Sequence, residues 1–247
     1  MSSNFPDFRK RFETDGYFVI KNFVNKNFIL QIIDEIDKSQ NSIKYFDNQN
    51  NLRRIEKLYD KGTNLINLNE KISILLKKIF DKEFLIFKDK FNSKPPGGEG
   101  FFAHYDGIFE FINSKDEKKR GWYEYGDFFI SALIAIDKCD KENGALELAK
   151  SHNGDFAQLY ENTKKDGTPA LSDEVERKTK FKVIDLEVGD MIIFSNTCPH
   201  RSKKNDSDQI RRIIYYTYTP SENGSKYDEY FKDKETSKNK SKALSER

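Results

Sequence analysis

Residues 98–106 read GEGFFAHYD, and residues 199–211 read PHRSKKNDSDQIR. The first stretch is a Gly-rich turn that runs into a short apolar strand, 101–106, and ends in a His-x-Asp pair. In a strand, residues i and i+2 face the same side, so His104 and Asp106 can point together into a barrel mouth. His200 must then arrive from a distant strand. The chain before it has that form: a Gly189-Asp190 turn, the apolar run Met191-Ile192-Ile193-Phe194, then Pro199-His200. Two imidazoles and one carboxylate are the set that holds non-haem Fe(II) and leaves positions open for substrate and O₂. Taken alone, a His-x-Asp is more often a surface or hydrogen-bonded pair than a ligand pair. His152, the third of three histidines, has no carboxylate at ligand spacing and reads as a structural turn residue.

Outward from these stretches the chain is strand-rich. Residues 83–92 read as a strand, followed by the turn-rich Pro95-Pro96-Gly97-Gly98. Residues 127–137 (DFFISALIAID) form a long strand with an apolar centre. An Asn143-Gly144 turn leads into a strand at 145–148. Residues 181–186 and 191–195 read as a hairpin about Gly189-Asp190, and 210–219 as the last strand. Residues 153–180 are polar and irregular, with room for one helix.

The N-terminal third reads differently. Residues 6–15 suggest a charged helix, broken by Gly16 before the β-rich Tyr17-Phe18-Val19-Ile20. Asn25 can cap a helix on which Phe28, Ile29, Ile32, Ile33 and Ile36 recur at helical spacing. Residues 37–55 read as loop. A second amphipathic helix carries Ile72, Leu75, Leu76 and Ile79. Helices followed by many short strands with Gly-rich turns predict a mostly β (α+β) fold, a double-stranded β-helix or jelly roll of cupin type, backed by N-terminal helices. The expected layout is one domain: helical support over 1–82, jelly-roll core over 83–219, and a charged tail over 220–247, helical or frayed toward its end.

Bulk properties agree. Apolar residues make up 36% of the 247, below the roughly 45–50% of globular domains, but 21 Phe and 12 Tyr supply large buried area. Forty-three basic residues against 41 acidic leave no global basic field, which disfavours nucleic acid. Cys139 and Cys198 are no disulfide framework. With no apolar leader and no membrane-length run, a cytoplasmic protein acting on a small molecule is the expectation. Oligomeric state is left open.

These residues together resemble the phytanoyl-CoA dioxygenase family of Fe(II)/2-oxoglutarate oxygenases. The matching pieces are Gly16–Ile20, residues 98–106, 142–148 (ENGALEL), Gly189-Asp190 with its strand, and 199–211, in family order. Residues 87–98, His200-Arg201-Ser202 with Asn205, and 227–234 look most like a bacterial subgroup that includes aminoethylphosphonate-type hydroxylases. The resemblance implies that His104, Asp106 and His200 bind iron. It implies that Arg211 and Ser202 hold the distal carboxylate of 2-oxoglutarate, a task for which a guanidinium fork is suited. It further implies that Lys88 and Asn92, on one strand face, contact the same co-substrate, although Lys88 also reads as one more surface lysine beside Lys82, Lys90 and Lys94.

Three stretches depart from the family pattern: Tyr105 within His-x-Asp, the charged aromatic insert 107–126, and Ala149-Lys150 where Pro-Gly is usual. The first two bear on substrate. Candidate substrate residues are Tyr105, Trp122 and Arg201. Trp122, Tyr123 and Tyr125 either form a lid or pack the insert; Arg201 and Lys203 either bind an anion or are solvated. The implied activity is hydroxylation of an unactivated C–H bond in a phosphonate, amino acid or quaternary amine, using Fe(II), 2-oxoglutarate and O₂. The alternatives are a cupin-like metal-dependent isomerase or hydrolase that does not use O₂, and a non-catalytic binding module.

Overall fold

The computed structural model describes residues 5–113, 115 and 117–245, with side chains through 236. In chain order the elements are α1 (Phe5–Asp15), β1 (Tyr17–Ile20), α2 (Lys26–Lys38), β2 (Ile43–Phe46), β3 (Leu52–Glu56), α3 (Thr63–Phe80), β4 (Phe84–Lys94) and β5 (Phe101–His104). After these come β6 (Phe111–Ile112), β7 (Lys118–Lys119), β8 (Ile130–Ala135), β9 (Leu146–Leu148), α4 (Phe156–Tyr160), α5 (Asp173–Lys178) and β10 (Lys182–Val183). The chain continues with β11 (Met191–Ser195), β12 (His200–Ser202), β13 (Arg211–Pro220) and α6 (Tyr227–Ser245).

Two sheets face each other. The larger has the order β1-β11-β8-β13-β4-β3-β2, and the smaller β10-β9-β12-β5. Both faces of the large sheet are covered, so its central strands are apolar throughout. Ala132, Ile134, Met191, Ile193, Ile214 and Tyr216 pack against Ile29, Ile32, Leu65, Leu68, Ile72 and Leu76 of the helices. The alternate residues Leu133, Ala135, Ile192, Phe194, Ile213 and Tyr215 turn inward and meet Leu146, Leu148, Ile184 and Leu186. Period-two alternation thus builds two cores from the same strands. This is the predicted double-stranded β-helix with helical backing.

The helices form where the sequence predicts them. The Asn25 side chain accepts from Phe28 N at 2.9 Å and caps α2. Gly16 separates α1 from β1 at φ +82, a conformation that favours glycine, and a Cβ there would lie 2.5 Å from Cys198 Sγ. Among the described residues no helix is long and apolar enough to cross a membrane.

Several local expectations are corrected. Residues 37–55 are not loop: β2 and β3 form a hairpin that extends the large sheet, with Arg54 opposite Asn92. Its half-exposed, charge-bearing residues suit a sheet edge and carry little apolar signal. Residues 181–195 are not a hairpin either. Lys182 and Val183 pair with β9, whereas β11 pairs with β1 and β8. The chain crosses between sheets at the Gly189-Asp190 turn, and a Gly-Asp pair serves a corner as readily as a hairpin. Residues 153–180 hold two short helices, α4 and α5, where one was expected.

Asp89 ties the periphery together. Its fully buried carboxylate accepts from the backbone N–H of Lys57, Leu58 and Tyr59 at 3.1, 2.5 and 2.7 Å, and from the Tyr227 hydroxyl at 2.9 Å. Asp89→Ala leaves four donors without an acceptor, so it is expected to lower unfolding stability by about 3 kcal/mol or more in urea denaturation. Asp34→Ala, at an exposed i,i+4 pair with Lys38, should change it little.

Candidate metal centre

β5 and β12 pair antiparallel in the small sheet, and the pairing sets His104 directly opposite His200. Their rings lie 4.1 Å apart between centroids. Asp106 follows the end of β5. Ligand atoms of the three side chains all lie within 4.8 Å of one another, and each residue is more than nine-tenths buried.

Each ring is held by the backbone. His104 Nδ1–H donates to Phe102 O at 2.9 Å, and His200 Nδ1–H to Cys198 O at 3.0 Å. Both Nε2 lone pairs are therefore free to act as ligands. Ser131 Oγ donates to Asp106 Oδ2 at 3.4 Å and is itself linked to Thr217 Oγ1 at 3.1 Å. Burial, together with the neighbouring His200, holds His104 well below the usual imidazole range, and burial lowers His200 as well. Burial alone would raise Asp106, but His200, Lys90 and His104 override it and bring it down to about 2. Neutral imidazoles beside an ionised carboxylate are the protonation states a divalent cation requires. Without a cation, two buried acceptor nitrogens and a carboxylate would face one another with no partner between them. The donor set fits non-haem iron.

The triad opens on a cavity of about 560 Å³ between the sheets. At one end lie Arg211, Ser202 and Lys94. Arg211 is 4% exposed and donates to Gly144 O at 3.0 Å, while its Nε is buried without a partner. Lys94 Nζ donates to Ser202 Oγ at 2.9 Å, to Gly144 O at 3.2 Å and to Lys203 O. No carboxylate pairs with Arg211 or Lys94 among the described residues.

Lys88 and Asn92, expected to contact the same co-substrate, share the cavity face of β4 but stand at different distances from Arg211. In register, Lys94 stands opposite Arg211, Asn92 opposite Ile213, and Lys88 opposite Thr217. Six residues of strand, roughly 20 Å, separate Lys88 from Lys94. Lys88 is on the side of the triad where Thr217 and Ser131 reach Asp106. Asn92 Oδ1 accepts from Arg54 Nε at 3.3 Å. The lysine that neighbours Arg211 and Ser202 is Lys94, which sequence reading counted as surface. Its place before Pro95-Pro96 was the signal, since the strand must end there and bring its last inward residue to the β13 terminus.

The substrate candidates Tyr105, Trp122 and Arg201 all line the cavity, with different partners. Trp122 lines the cavity, its ring over Gly107 and edge-on to Phe87 and Phe129. Tyr123 and Tyr125 pack away from it: Tyr123 OH accepts from Asn196 Nδ2 at 3.2 Å, and Tyr125 OH donates to Asp233 at 2.7 Å. Tyr105 is fully buried, and its hydroxyl is engaged by His152 Nδ1 at 2.5 Å and Asn162 Nδ2 at 3.1 Å. The Arg201 guanidinium is spent on Glu147 at 2.7 Å and Glu176 at 2.8 Å, over the Phe181 ring. Phe101 and Phe102, stacked at 4.4 Å and exposed, form an apolar rim beside His104.

Beyond Lys88 the cavity wall is finished by β3 and α6. Glu56 is fully buried and takes both carboxylate oxygens to Lys234 Nζ at 2.6 Å, with Tyr45 OH at 2.9 Å. Burial would raise its pKa, but Lys234, Lys88 and Arg54 bring it down to about 2 from 4.5. A depressed carboxyl contributes stability that is present above its unfolded value and is lost as pH falls toward the folded one. Wild type should exceed Glu56→Gln in unfolding free energy by on the order of 2 kcal/mol at pH 7. The difference should shrink in denaturation curves taken as pH falls below 4.5.

A model of the phytanoyl-CoA dioxygenase (PhyH) family matches residues 12–213. The 2-aminoethylphosphonate dioxygenase of uncultured bacterium HF130_AEPn_1 is 26% identical over 241 residues, covering 92% of this chain and 86% of that one. A methylphosphonate hydroxylase of Gimesia maris is 30% identical over 155 residues, 62% of this chain and 52% of that one. Among solved structures, EctD from S. alaskensis with 2-oxoglutarate and 5-hydroxyectoine superposes with a TM-score of 0.69 at 15% identity, over 90% of this chain and 77% of that one. The epimerase SnoN from nogalamycin biosynthesis does so with 0.67 at 14%, over 89% and 84%. These two likenesses are of fold.

Proposed function

The chain belongs to the phytanoyl-CoA dioxygenase family of Fe(II)/2-oxoglutarate-dependent oxygenases, and from that premise we propose that it hydroxylates a C–H bond of a small metabolite carrying an anionic group. The observation that carries this reading is the juxtaposition of His104, Asp106 and His200, each with a free ligand atom, beside a buried guanidinium that has no carboxylate of its own.

His104, Asp106 and His200 would hold the iron. Arg211, Lys94 and Ser202 would receive a carboxylate end of 2-oxoglutarate, since charge-assisted hydrogen bonds to a dry, prearranged anion site are strong. When bound, the iron and its co-substrate supply the oxidising power: O₂ is reduced, 2-oxoglutarate becomes succinate and CO₂, and a C–H of the substrate becomes C–OH. The chain's own residues do the rest. The Phe102 and Cys198 carbonyls fix the imidazole planes, and Ser131 orients the Asp106 carboxylate. Trp122 and the Phe101–Phe102 rim keep water from the reacting carbon, which protects a reactive site from side reactions. An isomerase or hydrolase that uses neither O₂ nor 2-oxoglutarate would not call for an Arg211 and a Lys94 without carboxylate partners next to the triad.

The relatives that act on phosphonates support an anionic substrate, and so does the cavity, where basic side chains outnumber Asp106 and Glu99. A quaternary amine fits this lining poorly.

Anaerobic addition of Fe(II) and 2-oxoglutarate to the metal-free protein is expected to produce the visible charge-transfer absorption of an iron–2-oxoglutarate complex. His104→Ala should abolish it, and Arg211→Ala should raise the 2-oxoglutarate requirement about tenfold or more. Stoichiometric iron without that absorption, and without substrate-dependent succinate release, would overturn the assignment.

A further inference from the structure

Four residues on one face of β4, Lys88, Lys90, Asn92 and Lys94, line the cavity. Lys94 belongs with Arg211 and Ser202. Lys88 and Lys90 have no such company. Lys88 is 8% exposed, with Nζ 4.6 Å from the Trp122 ring centre and 5.3 Å from that of Tyr230 on α6. Lys90 Nζ lies 4.3 Å from the Tyr215 ring centre. Neither ammonium has a hydrogen bond or ion pair among the described residues. Aromatic faces attract a cation but accept none of its hydrogen bonds in full, so the buried Lys88, and the half-buried Lys90 beside it, lack acceptors.

The nearby carboxylates are committed. Asp106 faces the two imidazoles, and Glu56 is bound by Lys234, Tyr45 and Arg54; both act on Lys88 and Lys90 only through space, with no hydrogen bond or ion pair to either. Of the other cations lining the cavity, Arg201 pairs with Glu147 and Arg53 with Asp47. Cations facing the cavity without a carboxylate are therefore Lys88, Lys90, Lys94 and Arg211. On the reading of the preceding subsection, on which this inference rests, Lys94 and Arg211 are satisfied by 2-oxoglutarate. Two amines remain, two residues apart on one strand, beyond the triad; burial lowers the pKa of both, and an anion bound between them would favour their charged forms.

We propose that Lys88 and Lys90 bind a dianionic –PO₃ head group, of a phosphonate or a phosphate monoester, in a substrate that carries no ammonium group. A single carboxylate would leave one of the two cations uncompensated, whereas a tetrahedral group with three acceptor oxygens can take donors from both. An amine on the substrate would need an acceptor. The cavity offers no uncommitted carboxylate beyond Glu99 at its exposed mouth, and Lys88 already covers the faces of Trp122 and Tyr230. Selectivity for the amine-free substrate comes from like-charge repulsion.

The test uses the full-length, metal-free protein and ³¹P line broadening with ethylphosphonate, ethyl phosphate and 2-aminoethylphosphonate as probes, and malonate as competitor. Ethylphosphonate and 2-aminoethylphosphonate differ only by an ammonium. Ethylphosphonate or ethyl phosphate should bind at least tenfold more tightly than 2-aminoethylphosphonate, and the tighter of the two identifies the source of the head group. Lys88→Met and Lys90→Met, which keep side-chain length, should each weaken that binding tenfold or more. Lys88→Arg should recover part of it, and 2-oxoglutarate affinity in the Fe(II) complex should stay within twofold of wild type. The proposal is overturned if the Met variants bind the probes as wild type does, if 2-aminoethylphosphonate binds as tightly as ethylphosphonate, or if malonate displaces the probes at equal concentration. Failure of the iron and 2-oxoglutarate reading would appear instead as loss of the charge-transfer absorption in wild type, with ³¹P binding unaffected.

Discussion

Everything in the site depends on the pairing of β5 with β12. These two short strands put His104 across from His200, and a backbone carbonyl two residues before each ring fixes its tautomer and plane. Neutral imidazoles at that separation, closed in by a carboxylate, are unfavourable unless a cation accepts their lone pairs. The sandwich exists around this constraint. β9 and β10 extend the small sheet on one side, and the inward residues of β8, β11 and β13 give it an apolar surface to lie on. The pairing that holds the two histidines is thus supported by burial the helices take no part in, while the helices cover the opposite face of the large sheet.

The electrostatics of the cavity follow from a single strand. β4 delivers an amine at every second residue except at Asn92, and its neighbours decide what each can do. At one end the β13 terminus adds Arg211 and the turn after β12 adds backbone carbonyls, so Lys94 is well solvated by protein. At the other, Trp122 of the insert and Tyr230 of α6 enclose Lys88 with π-faces alone. Glu56 sits one layer out, held directly by Lys234, Arg54 and Tyr45, and Lys88 feels its charge without a hydrogen bond to it. The terminal helix therefore shapes the site twice, through a ring that touches the cavity and a cation that engages the nearby anion.

Much of this was legible in the chain. His-x-Asp at the end of an apolar run, a distant Pro-His, and an Arg further on are sparse signals, but each carries a chemical requirement that few positions meet. The helices were legible because their apolar faces recur at helical spacing over two turns or more, at 28–36 and 72–79. The β2–β3 hairpin was not. Its residues sit at a half-exposed sheet edge, and Arg54 and Glu56 face a polar site, so no apolar alternation marks them. The corner after β10 looked like a hairpin because turn chemistry is local and sheet membership is not. Lys90 and Lys94 were hidden by composition: among so many surface lysines, nothing in the spacing separates those that face the cavity from the rest.

The face that β4 presents to the cavity is itself the product of an irregularity. Thr217 of β13 pairs with Lys88, but Tyr218 pairs with Ile86, which leaves Phe87 as an extra residue on β4. Before that bulge, Phe84 and Ile86 point to the helices; after it, Asp89 and Phe91 do. Regular alternation from Phe84 would have sent Lys88, Lys90, Asn92 and Lys94 into the apolar helix layer, where four polar side chains could not be satisfied. One inserted residue reverses the phase, turns Phe87 onto Trp122 and Phe129, and hands the whole polar row to the cavity. Strand order and core packing set where the iron site lies. What the site can recognise is set by the phase of one strand, and that phase is decided at Phe87.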